Sequence, residues 1–390
     1  MTLKALLIGP TGHGGEGVYV ETLRKRPPAG VDYDVAAGFH SGVRGARCVW
    51  PFEVALNRLV RPSTIPDMGF RALSLRERYD VVHVHAHPTS LWRLGDTPLV
   101  MSEGSSSAVY LSDYLGWTTQ AIAAAYNRTR RIYRGLRIHD RLLATDSVRR
   151  LYVFSEWAKR INIAWGVNPD KLDVIYPGFE TPANPARAND ERFTFLFVGT
   201  DFERKGGHDV VDAFARLAGD MPHVHLMLAG FDTRSPNPDL QTHSWVSPSR
   251  RERVAETVAG LIRGGRVTQL SHVSQEHLRA QLFPAAQAFV MPSLAEGFGF
   301  TNVEAMSFGL PVVTSTIGPA EEIVVDGESG LLVPPGDVDT LAAAMGRLAA
   351  SSEEARRLGA AARQRFERMF TLDQFQQQLG AFYDRALAAR

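Results

Sequence analysis

The feature that most limits this chain is a strand, glycine turn and helix unit that opens it and returns near the middle. Residues 4–8 (KALLI) form a short apolar run, the Gly-rich GPTGHGGEG follows, and VYVETLRKR then takes up helical spacing. The pattern recurs at 193–199 (FTFLFVG) with a helix over 206–218. Short β-branched runs between helices read as buried parallel strands, so the recurrence predicts two doubly wound α/β domains in tandem. At 390 residues there is room for both cores.

Further strands are expected at 32–37, 80–85, 98–102, 150–154 and 172–178, with a long helical pattern over 119–144 and a Ser155-capped helix. Residues 181–192 (TPANPARANDER) have almost nothing to bury and read as a linker. The second series continues with strands at 224–230, 266–270, 288–291 and 311–315, and with helices over 274–283 and from about 300. Segment 231–250 is long and polar for a βα connection, which marks a functional loop or a flap. At the end, Leu372, Phe375, Leu379, Phe382 and Leu387 line one face of an amphipathic helix over 371–388. The expected plan is a domain at 1–180, the linker, a domain at 193–370 and a helix in 371–390. Ligands of such sheets bind at the carboxyl ends of the strands, here in a cleft between the domains.

Composition excludes several functions. Lys+Arg 43 against Asp+Glu 42 leaves a formal charge of +1, so there is no whole-protein field to hold nucleic acid. The single cysteine, Cys48, supports neither an internal disulfide nor a Cys-rich zinc site, and a reducing cytosol suits it. No apolar run nears the ~20 residues that span a bilayer, so the expectation is a cytoplasmic, soluble protein.

Three motifs carry chemistry. In EGFGFTNVE (296–304), Glu296 precedes a helix and Glu304 lies within it, opposite the core-facing Val303 and Met306. Gly297 and Gly299 uncover the amides of the first turn, an anion site between two carboxylates that suits a diphosphate between two polyols. The alternative is two helix-start and surface acids. In VGTDFERKGG (198–207), Arg204 and Lys205 leave a strand where they could neutralise a diphosphate leaving group, or form a solvated pair at a loop tip. GHGGEGVYV (12–20) lacks the spacing and the downstream acid of a dinucleotide fingerprint, yet lets backbone approach a phosphate or sugar.

These motifs, with GPAEEIVVDGESGLLVPPGD after them, resemble the retaining glycosyltransferases of family 4, the glycogen-synthase-like group with the GT-B fold. The likeness runs through Glu322-Ile323-Val324, the turn Gly330 to Asp337, Lys205-Gly206, YPGFE (176–180) and Gly14-Gly15. It implies two Rossmann-like domains facing a cleft, with the C-terminal helix returning to the first. It implies that Glu304 holds the donor ribose and Glu296 faces the donor sugar. The amides from Gly297 through Phe298 and Gly299 to Phe300 would bind sugar hydroxyls and phosphate, and Lys205 with Arg204 the diphosphate, without a metal. Gly15 would approach the donor, and Ser271, His272 and Val273 would cradle the base.

Two positions depart from the family. Thr200 stands where an Arg is common, and Arg204 is the substitute. Gly104, or Glu103 with a one-residue shift, stands where the family often has a sugar-contacting His. Glu103 is therefore an acceptor-site candidate, as are His87 and His13. His83 and His85 share one face of a strand without local carboxylates, and read as buried, hydrogen-bonded histidines rather than metal ligands. The arginines of 128–141 spread around their helix, so a solvated face is expected; attraction to the inner membrane face is the alternative.

The sequence thus predicts a metal-independent, retaining hexosyltransferase using a UDP- or GDP-sugar as cosubstrate and no other cofactor. The acceptor is a sugar, a lipid-linked glycan or a natural product. A nucleotide-sugar epimerase or phosphorylase of the same fold, or a non-catalytic nucleotide-sugar-binding subunit, are the alternatives.

Overall fold

In a computed structural model, the described residues are 2–10, 15–37, 46–48, 73–75, 77–85, 96–114, 116–135, 148–183, 192–230, 245–271 and 273–388. The chain divides into two compact units, Met1–Gly178 with Asp373–Arg390, and Phe179–Leu372. The linker residues 184–191, loop residues 231–244 and helical residues 136–144 of the sequence reading lie outside the described residues.

The first unit is built on β1 (Leu3–Gly9), α1 (Gly15–Lys25), β2 (Val31–Ala37), the short pair β3 (Ala46–Cys48) and β4 (Leu73–Leu75), then β5 (Val81–His85) and β6 (Leu99–Glu103). α2 (Thr119–Gly135), β7 (Val148–Val153), α3 (Glu156–Ala164) and β8 (Leu172–Val174) complete the series. Its six-stranded sheet runs β2-β1-β5-β6-β7-β8, every pairing parallel, while β3 and β4 pair antiparallel. β5 and β6 are buried at every position, as strands covered on both faces must be. Ser155 accepts from the Ala158 amide and caps α3 as its sequence position requires.

The second unit comprises β9 (Phe193–Val198), α4 (Gly207–Asp220), β10 (Val224–Ala229), α5 (Pro248–Arg263), β11 (Val267–Leu270), β12 (Ala288–Met291), α6 (Phe300–Ser307), β13 (Val312–Ser315), β14 (Gly330–Val333), α7 (Val338–Ala350) and α8 (Ser352–Met369). Its sheet is also six-stranded and parallel, ordered β11-β10-β9-β12-β13-β14. The last helix, α9 (Leu372–Ala388), belongs almost wholly to the first unit. There Phe375, Leu379, Phe382 and Tyr383 are buried.

Three local readings are corrected. Gly330–Val333, read as part of a turn, is the edge strand β14, paired with β13 along its length. The helix expected over 274–283 contains a wide turn at Leu278–Leu282, where the Phe283 amide bonds the Leu278 carbonyl; Pro284 follows and has no N–H to continue an ordinary ladder. In α9 the apolar face ends on Tyr383 and Ala386, and Leu387 is only half-buried.

Candidate active site

The strand order of the second sheet reverses between β9 and β12, and the loops leaving these neighbours meet outside their carboxyl ends. Lys205 comes from the loop after β9 and Glu296 from the loop after β12. Their side chains form an ion pair, with Ser293 Oγ donating to the same Glu296 oxygen at 3.3 Å. Both side chains are nearly buried. Burial by itself would raise Glu296, but Lys205 and then Arg204 outweigh it and hold the carboxyl below the usual range. Burial also draws the Lys205 ammonium down, against the pull of Glu296.

Arg204 clamps the two loops rather than standing at a solvated tip. Its Nε donates to Asp201 Oδ2 at 3.0 Å and one terminal nitrogen to the Ala295 carbonyl at 2.9 Å, while its own carbonyl accepts from the Leu294 amide at 2.7 Å. α6 then begins directly beyond Glu296. Gly299 precedes it at φ 92°, in the left-handed region, and no side chain caps the helix. With no side-chain cap, the positive end of the helix dipole stands at this loop. Phe298 is buried edge-on against Phe300 and Phe370, which anchors the turn.

Glu304 corrects the reading of its helix face. Nearly all of α6 is buried, because α8 packs against it, and Glu304 retains only 8% exposure. Its Oε1 accepts from Arg279 at 3.3 Å, and another Arg279 nitrogen donates to the Glu180 carbonyl at 3.2 Å. Burial pushes Glu304 upward and Arg279 opposes the shift. The surface-acid alternative is therefore excluded for both glutamates. Arg279 and Asp201 escaped sequence reading because nothing in QEHLRAQL or GTDFER shows which side chain turns inward.

Val273 is half-buried just past β11, and Ser271 is exposed; His272 lies outside the described residues, as do His13 and His87. Gly15 opens α1. Glu103, at the end of β6, is buried, and the carboxylate that stands against Gly104 is that of Glu16. His83 and His85 are fully buried and hydrogen-bonded. Among the described residues no group of three or more His, Cys, Asp or Glu is placed to hold a metal ion. No helix among them is long and apolar enough to cross a membrane.

Comparison with known proteins decides the family. Residues 13–182 match the model described as Glycosyltransferase Family 4, and residues 179–365 match Glycosyl transferases group 1. The chain belongs to glycosyltransferase family 4. It is 32% identical over 240 residues to the MMP alpha-(1->4)-mannosyltransferase of Mycolicibacterium hassiacum, an alignment covering 61% of this chain and 54% of that one. The chain thus spans about half the length of that relative. Among solved structures, sucrose-phosphate synthase from Thermosynechococcus elongatus superposes with a TM-score of 0.69 at 22% identity over 100% of both chains. HepE of Anabaena, solved in complex with UDP-glucose, superposes at 0.65 with 18% identity, covering 98% of this chain and 99% of its own. With two doubly wound parallel sheets, this family 4 chain has the GT-B fold.

Proposed function

We propose that this chain transfers a hexose from a nucleoside-diphosphate donor to an acceptor hydroxyl, with retention of anomeric configuration and without a metal. The observation that carries the reading is the convergence of Lys205, Glu296 and the uncapped start of α6 at the switch point between β9 and β12. An arriving diphosphate would meet Lys205 and the α6 amides, cations and dipoles already placed for the charge that develops on the leaving group. Glu296, released from Lys205, would accept from donor-sugar hydroxyls, and Glu304 from the ribose hydroxyls in place of Arg279. Arg204 would act through the loops it clamps together. The UDP-glucose bound by HepE supports a uridine donor, and a GDP-sugar is the competing choice. The first unit would hold the acceptor: a sugar, a lipid-linked glycan or a natural product. Retention follows the family, and the leaving phosphate itself can take the acceptor proton on the same face.

The test is thermal-shift titration with UDP, GDP, ADP and dTDP and their common sugars, on the wild type and Glu304→Ala. A ligand of the native state at about 100 times its Kd adds about 2.7 kcal/mol. One nucleotide family should stabilise the wild type, and Glu304→Ala should weaken it by about 1–3 kcal/mol for the lost charged acceptor. No stabilisation by any nucleotide would refute a donor site here.

A further inference from the structure

The first sheet carries a hydrogen-bonded histidine–glutamate pair at the matching place, and the donor reading uses neither member. Its strand order reverses between β1 and β5. Glu16 lies in the first turn of α1, the helix that follows β1, His85 ends β5, and Nε2 of His85 bonds Oε2 of Glu16. The crevice outside the carboxyl ends at such a point is where open α/β sheets bind ligands. The two members differ in environment: the His85 side chain is 0% exposed and that of Glu16 is 42% exposed.

Behind His85 runs a buried chain of hydrogen bonds. His85 Nδ1 lies 2.8 Å from Ser102 Oγ, which lies 2.8 Å from His83 Nε2. His83 Nδ1 is 2.7 Å from the Tyr383 hydroxyl, which is 2.7 Å from that of Tyr33. Burial, with His85 adding to it, pushes His83 down to about 3, so its ring is neutral and has one N–H. With its one N–H, His83 donates to one of its two neighbours, Ser102 and Tyr383, and accepts from the other.

The other carboxylate oxygen lies against a glycine. Gly104 follows β6 at the same sheet end, and a Cβ there would stand 2.6 Å from Oε1 of Glu16. Among the described residues Oε1 has no hydrogen-bond partner. A carboxylate pinned through one oxygen by a buried histidine, with the other oxygen lying against a glycine and without a hydrogen-bond partner among the described residues, can accept from a hydroxyl.

We propose that Glu16 is the hydroxyl-binding carboxylate of the first unit: Oε1 accepts from a hydroxyl of the sugar or polyol that receives the transferred group, and His85, Ser102 and His83 position it. This rests on the glycosyl-transfer reading of the donor half.

The experiment follows nucleotide release by the full chain from UDP-glucose, UDP-galactose and GDP-mannose. Water alone, glucose 1-phosphate, myo-inositol 1-phosphate and maltotriose serve as acceptor probes, each varied in concentration. In Glu16→Gln, donor affinity should stay within twofold of wild type, while kcat/KM for the acceptor falls at least tenfold. Gly104→Ala keeps every side chain of the buried chain but crowds Oε1, and should show a loss of the same kind. Turnover and acceptor KM unchanged in either variant would overturn the proposal, as would equal loss of donor affinity and turnover in Glu16→Gln. A wild type that binds or turns over none of these nucleotides overturns the transferase reading, and this assignment with it.

Discussion

Lys205 and Glu296 show what single residues decide in the second unit. Each is charged and nearly buried, so each depends on the other for its charged state. Removing one partner strands the other without water to replace it, which costs about 3–5 kcal/mol for a buried pair. Lys205→Met should therefore destabilise the second unit by about that amount in urea unfolding, and Lys205→Met with Glu296→Gln by clearly less than the sum of the single changes. Additive losses would mean the two groups are solvated independently. The acids of EGFGFTNVE are legible as a pair from the sequence alone, because their spacing around an uncapped helix start is a local fact. Their counter-charges are not. Arg279 lies 25 residues from Glu304 and Lys205 lies 91 from Glu296, and only the order of strands in the sheet brings them together.

At the scale of elements, β5 shows how a strand carries both packing and polarity. Val81, Val82 and Val84 fill the core while His83 and His85 fill the buried polar chain. His83 has a pH consequence. In the unfolded chain it takes a proton near its ordinary value of 6.5, whereas folded it resists until about 3. Between these limits the unfolded state binds the extra proton, so stability rises with pH across that window and falls as pH drops through it. Urea unfolding followed from pH 7 to 3.5 should show this acid loss, of order 4 kcal/mol, for the transition of the first unit. The slope should be reduced by about one proton in His83→Gln. An identical slope in both proteins would place the loss elsewhere. The alternating histidines announced a shared face in the sequence, and their burial follows from a parallel sheet covered on both sides. The caps Asp337 and Ser351, which start α7 and α8, are equally local signals. The strand β14 escaped reading because GLLVPPGD is too short to distinguish an edge strand from a turn without its partner.

Over the whole molecule, the last helix ties the chain's end to its beginning. α9 lies beyond the second unit in sequence, yet its aromatic face is part of the first unit's core. Tyr383 is a link in the polar chain that runs from Tyr33 to Glu16. Truncation after Leu372 removes Phe375, Leu379, Phe382 and Tyr383 at once. Large buried side chains cost about 2–5 kcal/mol each, and a domain has only about 5–15 kcal/mol to lose. The first unit should then fail to unfold cooperatively in calorimetry, while the transition of the second unit persists. A truncated chain with both transitions intact would refute that role.

What the sequence by itself determined is everything governed by short-range periodicity and spacing. That includes the two series of buried strands and helices, the amphipathic final helix, the glutamates flanking an uncapped helix start, and through them family 4. Tertiary structure decided which charges meet. It buried Glu304 beneath α8, joined Lys205 to Glu296 and Arg204 to Asp201 and Ala295, and set Glu16 against Gly104 with a histidine chain behind it. The physical reason is the parallel sheet itself. Its crossovers place loops distant in sequence side by side at the carboxyl ends of neighbouring strands, and the order of those strands is settled by packing across the whole unit.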